Sequence, residues 1–293
     1  MSFWDKIFQL LGLYHKPSNT TTTTTKLQIG DHNMDGKVKV ALCIGINQYP
    51  NPANNLQGCI NDAKDWAKVL DEVFHFDVIK ILLDSDATLK NVVDSAEELL
   101  MANPDTFVIT DSSHGTRIPS NMEEDGYCEA ICLYDNFLID HDFHQMLSKA
   151  NPNTKIVVVS DSCHSAGVTR EFLLTMNDFT YASQPKYLPN PDNMLALKAS
   201  MAPIAKAIFE PTEGMNEILI AGCKSDQYSY DANFDGKPNG AFTYYVLKCI
   251  RENPNLTYSQ LIQRMNEYLP SSRYPQCPVL ETDGKNKDLL LFE

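Results

Sequence analysis

The sequence predicts a mixed α/β fold: a sandwich of helices around a mainly parallel sheet. Short β-branched runs recur along the chain, as in Val78–Leu83 (VIKILL), Lys155–Ser160 (KIVVVS) and Glu217–Ala221 (EILIA). Runs without polar alternation are the pattern of strands buried on both faces. Segments with helical periodicity separate them, and strands alternating with helices imply a parallel sheet with crossovers. Apolar residues make up 43% of the 293, enough for a large core.

Taken in order, residues 3–14 place Phe3, Trp4, Ile7, Phe8, Leu10, Leu11, Leu13 and Tyr14 at helical spacing. The reading is an amphipathic segment over 1–16, docked on the domain's own surface. Partner binding, membrane-surface contact through 3–14, or a pro-segment are the alternatives. Residues 17–36, with their threonine run, read as a flexible linker. The domain then occupies 37–293: a first part 37–165, an intervening segment 166–215 and a last part 216–293.

Within it, 37–46 is a continuous apolar strand ending at Gly45. Residues 61–74 are helical (Ala63, Trp66, Ala67, Leu70, Val73). Strands are expected at 78–83, 106–109, 129–133, 155–160, 217–221 and 288–292. Helices are expected at 89–101, 140–149 with Asp140 as N-cap, 241–251 and 258–268. Segment 165–215 shows no strand.

Charge and cysteine usage narrow the function classes. The formal net charge is −14, which disfavours nucleic acid and anionic membrane as partners and favours cationic substrates. The eight cysteines mostly sit in apolar runs, as free thiols of a reducing compartment do. No apolar run is long enough to span a bilayer. Asp5 and Lys6 interrupt the N-terminal apolar stretch, so no secretory signal is read and a cytoplasmic location is expected.

Parallel sheets place their sites at the carboxyl ends of strands. No GxGxxG or GxxxxGK[ST] motif follows a strand, which weakens a nucleotide-binding reading. Instead, TDSSHGT follows the 106–109 strand and DSCHSAG follows Lys155–Ser160. A thiol attacks a carbonyl as thiolate and needs a base to lower its pKa. Cys163 is the candidate nucleophile and His114 its base. His164 is the competing base, but as a sequence neighbour of Cys163 it points elsewhere. The backbone N–H groups of Gly115 and Cys163 are the natural pair to stabilise an oxyanion.

These pieces resemble a known family. VALCIGINQY (40–49), LQGCIND (56–62), SSHGT (112–116), DGYCEAICLYD (125–135), DSCHSAG (161–167) and GAFTY (240–244) match the metacaspases of the caspase-like cysteine peptidase clan in order and spacing. The resemblance covers roughly 38–292. It implies a caspase-like α/β/α sandwich around a mainly parallel six-stranded sheet. It also implies peptide hydrolysis through a thioacyl-enzyme, with His114 and Cys163 as dyad. The acidic S1 pocket for P1 Arg or Lys falls on Asp62 and Asp161, lined by Cys59 and Ser112. Two carboxylates in a cleft do select a cation. Asp62 could instead cap the helix it opens.

The four carboxylates of the calcium-activated members fall on Cys128, Asp140, His141 and Arg170. Only Asp140 can serve calcium, so that site reads as lost, and neither metal nor cofactor is expected. DHNMDG (31–36) and DANFDG (231–236) match half an EF-hand loop, but Leu42 and Phe242 stand where Glu is needed, and Asx-turns explain both. The sequence thus reads as a monomeric peptidase acting on protein or peptide substrates after basic residues, independent of calcium. Arg170, Lys186, Lys198 and Lys206 are candidate self-cleavage points. The alternatives are a low-activity interaction or scaffold protein on the same fold, and Cys-dependent acyl transfer.

Overall fold

The computed structural model describes residues 36–119, 126–163, 183–188, 217–282 and 284–293. Its centre is a six-stranded sheet in the order β12-β9-β7-β3-β1-β2. The strands are β1 (Lys39–Gly45), β2 (Val78–Leu83), β3 (Thr106–Ser112), β7 (Lys155–Ser160), β9 (Glu217–Ala221) and β12 (Val279–Glu281). All neighbouring pairs are parallel except β9 with β12.

Every residue of β1 is buried, and alternate side chains serve opposite layers. Ala41 and Cys43 enter one apolar cluster with helix α1 (Cys59–Glu72), α4 (Ala241–Glu252) and α5 (Tyr258–Met265). Val40, Leu42 and Ile44 enter the other, with α2 (Leu89–Leu100) and α3 (Asp140–Leu147). That division produces the α/β/α sandwich the pattern predicts.

Two smaller sheets flank the carboxyl ends of the main strands. One comprises β4 (His114–Pro119), β5 (Tyr127–Cys132) and β6 (Phe137–Ile139) in that order. The other is β11-β10-β8, built from β8 (Ser183–Pro185), β10 (Tyr230–Phe234) and β11 (Lys237–Gly240).

Four expectations need correction. The last strand of the main sheet is Val279–Glu281, not 288–292. The C-terminal apolar run serves the core instead, where Phe292 meets Trp66, Phe74, Phe76 and Tyr258 edge to face. Segment 165–215 does contain a strand, Ser183–Pro185. It has no β-branched residue and includes a proline, so no propensity announced it.

The N-cap of α3 is Ile139, with Asp140 inside the first turn, where its charge suits the helix dipole. Likewise α1 begins at Cys59 behind Gly58, so Asp62 lies within the helix and is not its cap.

Residues 231–236 form a hairpin. Asp235 (φ 52°) and Gly236 (φ 87°) make the turn, a geometry that Asp-Gly favours. The Asp231 carboxylate accepts the N–H groups of Gln57 and Gly58, and Asn233 Oδ1 that of Gly236. Asn233 therefore braces the turn three residues on and does not close an Asx-turn, while Asp231 pins the start of α1. The segments 1–16 and 17–35, and Arg170, Lys198 and Lys206, lie outside the described residues.

Candidate active site

Strand order reverses between β1 and β3, where β1 turns outward to β2 while later strands build the other way. A crevice opens at such a point beyond the strand carboxyl ends. His114 follows β3, Cys163 follows β7, and α1 brings Cys59 and Asp62 to the same end. Gly115 lies directly against the Cys163 backbone. A Cβ there would overlap the Cys163 carbonyl, so only glycine permits the approach.

His114 is buried and its ring is held from two sides. Nε2 lies 2.8 Å from the Asn54 carbonyl oxygen, and the Tyr49 ring packs on it at 5.2 Å between centroids. The Tyr49 hydroxyl accepts the His114 N–H and donates to the Cys132 carbonyl. A carbonyl only accepts, so Nε2 carries the proton and Nδ1 keeps its lone pair. Nδ1 is buried with no hydrogen-bond partner among the described residues. Burial lowers the imidazole pKa to about 4, so at neutral pH the ring is uncharged and basic at Nδ1.

The Cys163 thiol is buried against the Ser229 backbone, and burial followed by the neighbouring Cys223 thiol pushes its pKa well above the ordinary value. In this state thiol and imidazole are both neutral.

What buries them is the chain itself. Residues 183–188 run through the crevice, and the Lys186 side chain is 0% exposed. Its Nζ lies 3.2 Å from an oxygen of Asp62, 3.2 Å from one of Asp161 and 2.9 Å from Ser112 Oγ. Burial opposes that charge, but Asp161, Cys59 and Asp62 outweigh it and hold the ammonium pKa well above its usual value. The Lys186 carbonyl oxygen accepts the N–H of Gly115 at 3.0 Å and of Cys163 at 3.2 Å. Two N–H dipoles converging on one carbonyl are arranged to stabilise negative charge on it.

The carboxylates are braced by Ser112 and by groups the sequence reading did not single out. Asp62 accepts from Ser112 Oγ, Asn239 Nδ2 and the Gly240 N–H. Asp161 accepts from the Ser229 hydroxyl and from both the N–H and hydroxyl of Thr243. A Cβ on Gly240 would meet the Asp161 carboxylate and Lys186 Nζ, so this glycine leaves room for the cation. Ser112 Oγ accepts from Lys186 Nζ, and the Cys59 thiol lies near enough to feel the Lys186 charge. Tyr49, Asn54 and Gly240 lay inside or beside motifs already noticed. Their roles depend on backbone groups and contacts that residue type does not announce.

Among the described residues no group of His, Cys, Asp and Glu side chains is clustered to hold a metal ion, and no helix is long and apolar enough to cross a membrane.

Fold and crevice together define a class: an α/β/α sandwich whose parallel strands present an imidazole and a thiol beside an acid-lined pocket. The chain belongs to the caspase-domain peptidase C14 family, whose model matches residues 38–290. Metacaspase-1A of Aspergillus oryzae is 28% identical over 290 residues, covering 85% of this chain and 69% of that protein. Metacaspase-1 of Schizosaccharomyces pombe is 29% identical over 289 residues, covering 84% and 67%. Metacaspase-8 of Arabidopsis thaliana is 37% identical over 148 residues, 45% of this chain and 38% of its own length. A crystal structure of a Geobacter sulfurreducens protein superposes with TM-score 0.67 at 25% identity, over 87% of this chain and 98% of that one. These relationships make the chain a cysteine peptidase of the caspase family, and its substrates are proteins or peptides.

Proposed function

We propose that this peptidase cleaves after Lys or Arg by a Cys163–His114 dyad, without calcium, and that its first substrate is its own Lys186–Tyr187 bond. The observation that carries this is Lys186: a buried ammonium between two carboxylates, with its carbonyl on two convergent N–H groups.

In the proposed reaction His114 Nδ1 takes the Cys163 thiol proton as Sγ attacks the P1 carbonyl carbon. The oxyanion rests on the Gly115 and Cys163 N–H groups. The imidazolium then gives its proton to the departing amine, leaving a thioester that water hydrolyses. Asp62 and Asp161, lined by Cys59 and Ser112, form the S1 pocket. The second reading, a low-activity scaffold, draws support from the same filled crevice if that segment never turns over.

Mass spectrometry of the incubated full chain separates the two. Fragments ending at Lys186 and starting at Tyr187 are expected. Lys186→Gln should abolish this cut while opening the crevice to Arg-peptides added in trans. A chain that stays whole, with no peptide hydrolysis from either form, would sink the peptidase reading.

Burial pushes Asp62 up to about 6, against the pull of Lys186. Only the ionised carboxylate holds a cation, so kcat/KM for basic P1 substrates should fall by about tenfold per pH unit below that value. His114 titrates lower, near 4. Burial pushes Asp111 higher, to about 7, but its carboxylate is bonded to Ser113, whereas Asp62 meets the cation directly. The limb near 6 is therefore assigned to Asp62, and the pH–rate profile of Asp62→Asn should lack it.

Calcium independence draws support from Cys128. Its side chain is buried on β5 in an apolar cluster with Ile118, Ala130 and Ile139, and a thiol does not supply the hard oxygen that calcium needs. Turnover in chelator should equal turnover in millimolar calcium. A rise of about tenfold on adding calcium would overturn this. The eight free cysteines fit a reducing compartment, the cytoplasmic setting proposed.

A further inference from the structure

We propose that the crevice has built subsites on the far side of the scissile bond, which select an aromatic residue followed by an aliphatic one after the basic P1. This rests on the peptidase reading above and deepens it. The chain in the crevice changes partner strand at Lys186. Before it, Ser183–Pro185 pairs antiparallel with β10, and the Lys186 N–H donates to the Ser229 carbonyl at 2.9 Å. After it, the chain pairs parallel with β4, through a bridge between Gly115 and Tyr187.

That second pairing is specific. The Leu188 N–H donates to the Gly115 carbonyl at 3.0 Å, and the Thr116 hydroxyl donates to the Leu188 carbonyl at 2.6 Å. Thr116 is fully buried, so its hydroxyl is aimed by the fold and not recruited from solvent. β4 is the edge strand of its sheet, so the side facing the crevice offers unsatisfied backbone groups to an extended peptide.

The side chains also find places. The Tyr187 ring packs on Tyr228 at 5.7 Å between centroids, within the range of favourable aromatic pairs. Leu188 packs on the apolar cluster beneath α2 and α3. A peptide that reproduces Tyr-Leu gains both contacts and both backbone bonds, whereas one ending at P1 gains none. The substrates are therefore interior segments of protein chains with an apolar pair after the basic residue.

The test uses the full-length Lys186→Gln chain and three substrates. Two are internally quenched peptides, with Gln-Pro-Lys followed by Tyr-Leu or by Gly-Gly. The third is Gln-Pro-Lys-aminocoumarin, which has no residue after P1. We expect kcat/KM for the Tyr-Leu peptide to exceed that for Gly-Gly by about tenfold. Thr116→Val should reduce this ratio by about threefold or more, and Thr116→Ser should retain it. Should Thr116→Val fail to fold, N-methylation of the Leu amide in the peptide probes the same pairing. It should lower kcat/KM by about tenfold, because it removes the bond to the Gly115 carbonyl. Coumarin release with equal cleavage of both peptides overturns the subsites alone. A ratio unmoved by both Thr116→Val and amide methylation also overturns them. Failure to release coumarin from a folded chain overturns the peptidase reading and this proposal with it.

Discussion

Changing Cys163 to Ala is expected to leave the Lys186–Tyr187 bond intact indefinitely and to lower peptide turnover by about 10⁴-fold or more. His114→Ala should cost about as much, and the double variant little more, because nucleophile and base act as one unit. The reason lies in the resting geometry. The thiol is neutral and its pKa is pushed up by burial, so it is not a thiolate waiting for substrate. It depends on a base, and Nδ1 of His114 is a basic atom without a hydrogen-bond partner among the described residues. A buried acceptor without a partner costs about 1–3 kcal/mol, a cost that a role in proton transfer explains. Rates from quenched-flow or long incubations with an Arg-peptide measure both variants. Wild-type hydrolysis by Cys163→Ala would remove the central claim. Circular dichroism should show each variant folded, since neither side chain supports the sheet.

Asp62→Ala and Asp161→Ala should each cut kcat/KM for basic P1 peptides by about 10²–10³-fold, while leaving the chain folded. Removing either carboxylate also leaves the Lys186 ammonium partly unpaired in a fully buried site. Breaking one partner from a buried ion pair costs about 3–5 kcal/mol. Lys186 can escape that cost by leaving the pocket, so residues 183–188 should detach and become open to added protease. The two consequences differ in sign for accessibility and for catalysis: the crevice opens as its selectivity is lost. A P1-scanning library read beside limited proteolysis measures both. Retained preference for Arg in either variant would mean that the pocket is elsewhere. Asp161→Asn should be milder than Asp161→Ala, because an amide oxygen at the Oδ2 position can still accept from the Thr243 N–H and hydroxyl while its NH2 donates to the Ser229 hydroxyl.

How much of this was legible in the residues differs by element. Strands β2, β7 and β9 were readable to the residue as short Val/Ile/Leu runs, although only β7 is buried along nearly its whole length. His114 and Cys163 were readable because both follow such strands in small-residue turns. β4 and β8 were not. β4 opens on the His-Gly dipeptide of the dyad motif, and β8 is Ser-Gln-Pro, a sequence that forms a strand only because β10 offers it an edge. The C-terminal run shows the opposite error. Its apolar residues announced a strand, but Phe292 is taken by an aromatic cage on α1 and α5, and Val279–Glu281 pairs with β9 instead.

The sequence by itself determined the sandwich, the placing of imidazole and thiol after neighbouring strands, and the two carboxylates available to a cation. These depend on local periodicity and on which residues follow a strand, and both are written in order along the chain. Only the tertiary structure decided that Lys186 enters the pocket, which nitrogen of His114 holds the proton, and what Leu188 meets beyond Lys186. Each of these turns on a contact between distant segments: Lys186 with Asp62, His114 with the Asn54 carbonyl, Leu188 with Gly115 and Thr116. Most of these contacts use backbone N–H and C=O groups, which nearly every residue carries alike. Their partners are therefore set by where the folded sheet brings them and not by the identity of the side chain above them.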